Sequence, residues 1–113
     1  MRIQRVEHNR RRLHMHVHVC ESRLERGRGL LLRRCPDRGT AYLLKQCSAV
    51  HTVGMTYAID IVFCNGTGRI LRIVTGLRPF RVARHPDATQ VWEVAAGVAA
   101  QWGWRVGDEI GPC

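Results

Sequence analysis

The chain has 113 residues, 45% of them hydrophobic, and carries 18 Arg and Lys against 9 Asp and Glu, a formal charge of +9. That length supports one hydrophobic core and leaves no room for a second domain. No stretch approaches the ~18 consecutive apolar residues of a membrane span, and neither an internal repeat nor a low-complexity tract is present.

Met1 to Arg12 (MRIQRVEHNRRR) shows no apolar periodicity and ends on three arginines, so residues 1–12 are expected to be a mobile basic arm and 13–113 a single domain. It is followed by LHMHVHV, where His interrupts every second position, not by the continuous apolar core of a signal peptide. A cytoplasmic protein is the resulting expectation. Residues 1–38 hold eleven Arg against four acids, +7, and residues 39–113 seven basic against five acidic residues, +2. The N-terminal excess lacks interleaved aromatics to stack on bases, which points to non-specific polyanion binding at most.

Leu13 to Cys20 alternates strictly, with Leu13, Met15, Val17 and Val19 on one face and His14, His16, His18 and Cys20 on the other, as a half-buried strand does. The H-x-H-x-H spacing makes His14, His16 and His18 candidate metal ligands. No further His or carboxylate follows at a fixed interval to finish the coordination, and no metal or cofactor is expected. Ser22-Arg23-Leu24-Glu25 fits a capping box and starts a short helix that Gly27 and Gly29 end. Thr40 to Lys45 is a strand leading into Cys47, and Ser48 to Thr56 is a loop that holds His51.

Ile59 to Cys64 alternates again, and Asn65-Gly66, with Gly68 behind it, supplies the positive φ angles of a tight hairpin returning along Arg69 to Thr75. Gly76 to Asp87, with two prolines, is read as a long surface connection. Thr89 to Ala95 is a strand, Ala96 to Trp102 a short helix stopped by Gly103, and Trp104 to Ile110 a last strand with a turn at Gly107-Asp108. The fold class is therefore mainly β (α+β), a small β-barrel or sandwich of five or six short strands with one or two short helices. Five cysteines, Cys20, Cys35, Cys47, Cys64 and Cys113, are an odd number without a C-x-x-C pair, which argues against a disulfide framework.

Several of these segments, taken in order, resemble one family. His51-Thr52, Gly54-Met55, Ile59-Asp60 and Phe63, followed by the Asn65 to Leu71 turn, look like the signature of the domain of unknown function 192 family, a small bacterial and archaeal domain. Arg26-Gly27-Arg28-Gly29-Leu30-Leu31, Pro79-Phe80-Arg81, Val91-Trp92-Glu93-Val94 with Gly97, and Gly107-Asp108 resemble its other motifs. The resemblance runs from about Leu13 to Ile110 and implies no assigned activity. It marks Arg26, His51, Thr52, Met55, Asp60, Pro79, Arg81, Glu93 and Asp108 as motif or ligand-binding residues.

Cys47, His51 and Asp60 together supply the residue types of a Cys-His-Asp nucleophile set, the basis of an alternative reading as a hydrolase or transferase. Against it, His51 and Thr52 bond loop backbone, Met55 fills core, and Asp60 accepts loop amides. Glu93 on a buried face needs a cation, with Arg26 and Arg81 as candidates. Trp92, Trp102 and Trp104 are core or the wall of a pocket. The sequence reads best as a binding or accessory domain rather than an enzyme, with a ligand pocket near the His51 loop. A metal-binding protein is the third reading. The expected partner is a small ligand or another protein, and not a membrane.

Overall fold

The computed structural model describes residues 2–21 and 35–113. Its strands are β1 (Arg2–His8), β2 (Arg11–Cys20), β3 (Thr40–Lys45), β4 (Ala49–His51), β5 (Ile59–Cys64), β6 (Ile70–Leu77), β7 (Val82–Arg84), β8 (Gln90–Ala95) and β9 (Ile110–Pro112), with the single-turn helix α1 (Val98–Gln101) between β8 and β9. Seven strands form one sheet in the order β6-β5-β8-β3-β2-β1-β9, and β4 pairs with β7 in a separate two-stranded ribbon. The pairing of β2 with β3 is parallel, which demands a long crossover; residues 21–39 supply it. The capping box at Ser22, together with Arg26, Gly27, Gly29 and Leu30 to Leu32, lies outside the described residues.

Both faces of the sheet centre are buried, because β5 and β8 lie within the sheet and expose nothing along their length. One face carries Leu13, Met15, Val17, Val19, Leu43, Val62, Trp92 and Val94, closed by Val98, Trp104 and Ile110. Tyr42, Leu44, Ile59, Ile61, Phe63 and Val91 line the other, covered by Val50, Met55 and Ala83. The alternation read along β2 holds, with His14 and His16 exposed opposite the core residues. A sandwich-like arrangement results, not a barrel: the edge strands β6 and β9 share no ladder, and the residues just before them are joined by the isolated bridge between Arg69 and Glu109. At that seam the Ile110 N–H donates to Gly68 O at 2.9 Å. A Cβ on Gly68 would lie 2.4 Å from the Ile110 carbonyl oxygen, so only glycine lets the two edges approach.

Three sequence readings are corrected. Residues 1–12 are not an arm: β1 sits between β2 and β9, and Val6 is fully buried. A strand whose outer face is basic and half exposed lacks the apolar signal that periodicity detects. The surface connection after Gly76 contains the end of β6 and all of β7, and the His51 loop contains β4. Finally, the β5–β6 hairpin forms, but its left-handed residue is Gly68 at φ 87°, with neither Asn65 nor Gly66 in that region. Instead the Asn65 side-chain oxygen accepts the N–H groups of Thr67 and Arg69 at 3.0 Å each. This is an Asx turn closed by a glycine bulge, in which the side chain does work assigned to φ.

Because β1 belongs to the core sheet, Val6→Ala should lower unfolding free energy by roughly 1–3 kcal/mol. Ile3→Ala, at a position 61% exposed, should stay within about 0.5 kcal/mol in the same urea titration. Equal, negligible effects at both positions would restore the arm.

Candidate functional site

Asp60 is fully buried inside β5. Its lateral neighbour is Val94, which places its side chain on the Val62 and Trp92 face. Between Ile59 and Ile61 the register with β6 slips, so one residue of β5 opposes Thr75 and Gly76 together. Gly76 takes φ 61° in this bulge, and its N–H donates to Asp60 Oδ1 at 2.9 Å. The other carboxylate oxygen accepts the N–H of Gly97 at 3.0 Å and that of Ala99 at 3.2 Å. One carboxylate thereby satisfies donors from a β-bulge and from the first turn of α1, groups that would otherwise be buried without partners.

Thr52 organises the opposite side of the sheet. It is fully buried; its hydroxyl donates to Arg78 O at 2.6 Å and accepts the Arg81 N–H at 2.8 Å. Its own N–H donates to Arg81 O at 2.8 Å, and its carbonyl accepts the N–H groups of Phe80 at 3.1 Å and Met55 at 3.2 Å. The Arg78-Pro79-Phe80-Arg81 turn is thus clamped to the His51 loop through one side chain. Held this way, Phe80 adopts φ 61° and is 68% exposed. In the ribbon, Val50 pairs with Ala83 and both face the core, so Ala49, His51, Val82 and Arg84 face outward. Beside them Ser48, Ala49, Arg84, His85 and Pro86 line an open cleft of about 480 Å³.

The nucleophile set does not assemble. Asp60 belongs to one face of the sheet, while Cys47 packs against the core of the other and its thiol donates to Ala49 O at 3.1 Å. His51 is exposed on the ribbon. Burial pushes the Cys64 thiol up to about 12, so that cysteine carries no nucleophilic chemistry either. His14 and His16 point to solvent whereas His18 is half buried and stacks on Tyr42, ring centroids 4.8 Å apart; among the described residues no three His, Cys, Asp or Glu are placed to hold a metal ion.

Glu93 is 3% exposed and lies in a row across the sheet, with Tyr42 on one side and Ile61 on the other. His18 continues that row. Of its two expected cations, Arg81 is exposed and donates to Phe80 O, and Arg26 is outside the described residues. Met55 is core, Pro79 lies in the clamped turn, and Trp92 and Trp104 meet edge-on in the core with centroids 6.3 Å apart; Trp102 is partly buried against it.

Asp108 closes the seam: its Oδ2 accepts His8 Nε2–H at 2.8 Å and the Arg105 N–H at 3.1 Å. The hydrogen bond from His8 holds its carboxyl below the ordinary value, with smaller help from Asn9 and Arg105 against the opposing effect of burial. Sequence reasoning assigned Thr52 to loop backbone but missed that its partners lie in the Arg78–Arg81 turn, and missed the His8 contact; these join residues 26 to 29 and 100 positions apart. A Thr flanked by two valine-containing segments carries no local sign of either.

The profile of the domain of unknown function 192 family, described as "Uncharacterized ACR", matches residues 4–111. Among solved structures, a protein of Sinorhizobium meliloti described as a "putative transcription regulator" superposes with TM-score 0.87 at 19% identity, over 98% of this chain and 94% of that one. A protein of unknown function from Novosphingobium aromaticivorans superposes with TM-score 0.77 at 17% identity, over 96% and 82%. At these identities the likeness is one of fold. No curated protein matches the chain. No described helix is long and apolar enough to cross a membrane.

Asp60→Ala should orphan the amides of Gly76, Gly97 and Ala99 and lower stability by ~1–3 kcal/mol, with hydrogen exchange accelerating first at those amides. Unchanged exchange there would refute the bridging role. At Asp108 the folded carboxyl is the more acidic state, so its stabilisation is present above the unfolded carboxyl value of ~4 and is lost as pH falls through the folded one. The stability gap between wild type and Asp108→Asn should therefore be full at neutral pH and narrow in acid; a constant gap would disconnect it from this charge.

Proposed function

This chain belongs to the domain of unknown function 192 family, and from that premise we propose that it is a small binding domain whose contact surface is the outward face of the β4–β7 ribbon and the turn clamped by Thr52. The observation that carries this reading is Phe80. An aromatic residue 68% exposed on a left-handed backbone is unfavourable twice over, in solvation and in strain. The Thr52 clamp accounts for the backbone but not for an exposed aromatic side chain on it, whereas a contact surface does. In this reading a small ligand would use the cleft along Ser48, Arg84 and His85, which lies at the end of the ribbon away from His51.

The hydrolase or transferase reading loses support from the separation of Cys47 and Asp60 on opposite faces of the sheet. The word regulator attached to one structural neighbour does not travel at 19% identity.

If Phe80 serves contact and not packing, Phe80→Gly should raise stability by roughly 0.5–1 kcal/mol, since glycine adopts the left-handed region without the Cβ penalty. A loss of stability would make Phe80 a packing residue and remove the main support for this reading. Site-resolved iodoacetamide labelling gives a second check. Cys47 should react no faster than the exposed Cys35 and Cys113, and a fast reaction that His51→Ala abolishes would favour the nucleophile reading instead.

A further inference from the structure

We infer that the ribbon face seats on an anionic lipid bilayer surface, with Val53, Phe80 and Val82 entering the headgroup boundary and Arg78, Arg81 and Arg84 contacting lipid phosphates. The inference rests on the contact surface proposed above and names its occupant. Three of the five large hydrophobic side chains exposed on the described surface, Val53 at 49%, Phe80 at 68% and Val82 at 68%, come from the two segments that Thr52 ties together. The charge along the segments that carry them is of one sign, with the exposed Asp87 lying just past the cleft. Residues 47–59 and 61–86 contain no Asp or Glu, yet they include Arg69, Arg72, Arg78, Arg81 and Arg84 together with His51 and His85; the one acid between the two stretches, Asp60, is buried with its oxygens occupied. A predominantly positive rim around protruding apolar side chains is complementary to a surface that is anionic outside and apolar beneath.

The adjoining cleft extends the match. Arg84 lines its mouth, and Arg72 donates to the Arg84 backbone carbonyl at 3.1 Å. His85 Nδ1 accepts the Asp87 N–H at 3.2 Å, which leaves Nε2 to donate. With the Ser48 hydroxyl these groups make a cleft of about 480 Å³ rich in donors, suited to a phosphate headgroup.

Other occupants fit less well. A second copy of the chain would oppose one arginine-rich face with another. Three side chains offer apolar area on the order of a few hundred Å², short of the ~800 Å² per partner of a stable protein interface. The expectation of no membrane partner rested on the lack of an apolar span, and docking at the surface needs none.

The test is co-sedimentation of the full chain with vesicles of phosphatidylcholine alone and of equal parts phosphatidylcholine and phosphatidylglycerol. Binding is expected only to the anionic vesicles. Phe80→Ser combined with Val82→Ser should weaken it by about tenfold or more while leaving retention on heparin, which needs charge alone, unchanged. Arg81→Gln with Arg84→Gln should weaken binding and flatten its salt dependence; replacing Arg10, Arg11 and Arg12 by Gln should spare it. No binding to anionic vesicles, or binding lost with the N-terminal arginines and indifferent to Phe80, overturns the inference, as does capture by polyglutamate in preference to vesicles, which would assign the face to an acidic protein. Failure here with a stabilised Phe80→Gly variant would discard the bilayer and keep the contact surface, whereas a destabilised Phe80→Gly variant would discard both.

Discussion

A single buried carboxylate fixes the relation between the sheet and its end. Asp60 stands in a strand buried on both faces, where an ionised group without partners would cost several kcal/mol. Its partners are all backbone amides, from the bulge of β6 and the first turn of α1. The bulge exists because Gly76 can turn its N–H toward Asp60 at φ 61°, and α1 begins where it does because Gly97, at φ 92°, turns its N–H to the same side chain. Removing the charge would therefore loosen two elements that do not pair with each other.

On the opposite face the corresponding role falls to a neutral hydroxyl. Thr52 both donates and accepts, so it can close on a turn that presents carbonyl and amide groups together, which an acceptor-only carboxylate could not. The two anchors differ in what they leave behind. Asp60 ends in a fully enclosed core, and Thr52 ends in a turn whose backbone is satisfied while its side chains face solvent. Rigidity is thus delivered to an exposed surface, the condition under which a contact site loses little entropy on binding.

How much of this could be read from the sequence depended on whether the signal was local. The alternation in β2 identified a strand because side-chain period and burial coincide there, whereas β5 and β8, buried on both faces, were identified by their apolar and β-branched content. Gly103, at φ 69°, stops α1 as its position after Trp102 suggested. β1 was hidden since only Val6 of its seven residues is fully buried, the others being exposed or half-buried and largely basic or polar. β4 and β7, three residues each, are too short to show a period and are held by Thr52 more than by propensity. Asp60, His51 and Cys47 look adjacent in the chain, yet alternation along a strand decides which face each side chain meets, and from sequence the relation of the His51 loop to the two faces of β5 is undetermined.

Charge was legible in total and misleading in distribution. Summed by region, residues 39–113 carry only +2, which makes the N-terminus look like the basic part of the molecule. In the fold, Arg5 there donates to the Leu13 carbonyl and Arg2 pairs with Glu21, so part of that excess is engaged in holding the β1–β2 edge. The small C-terminal sum conceals a partial segregation: of the five acids Glu93 is buried in the sheet, Asp108 is tied to His8 at the seam and Asp60 is enclosed, with Asp87 and Glu109 exposed, while the arginines between Cys64 and His85 have no acidic residue among them in the chain. Burying or pairing acids within the body of the sheet while leaving the ribbon with arginine alone produces a positive face that a net-charge count cannot see, because the count gives an enclosed carboxylate the same weight as an exposed guanidinium.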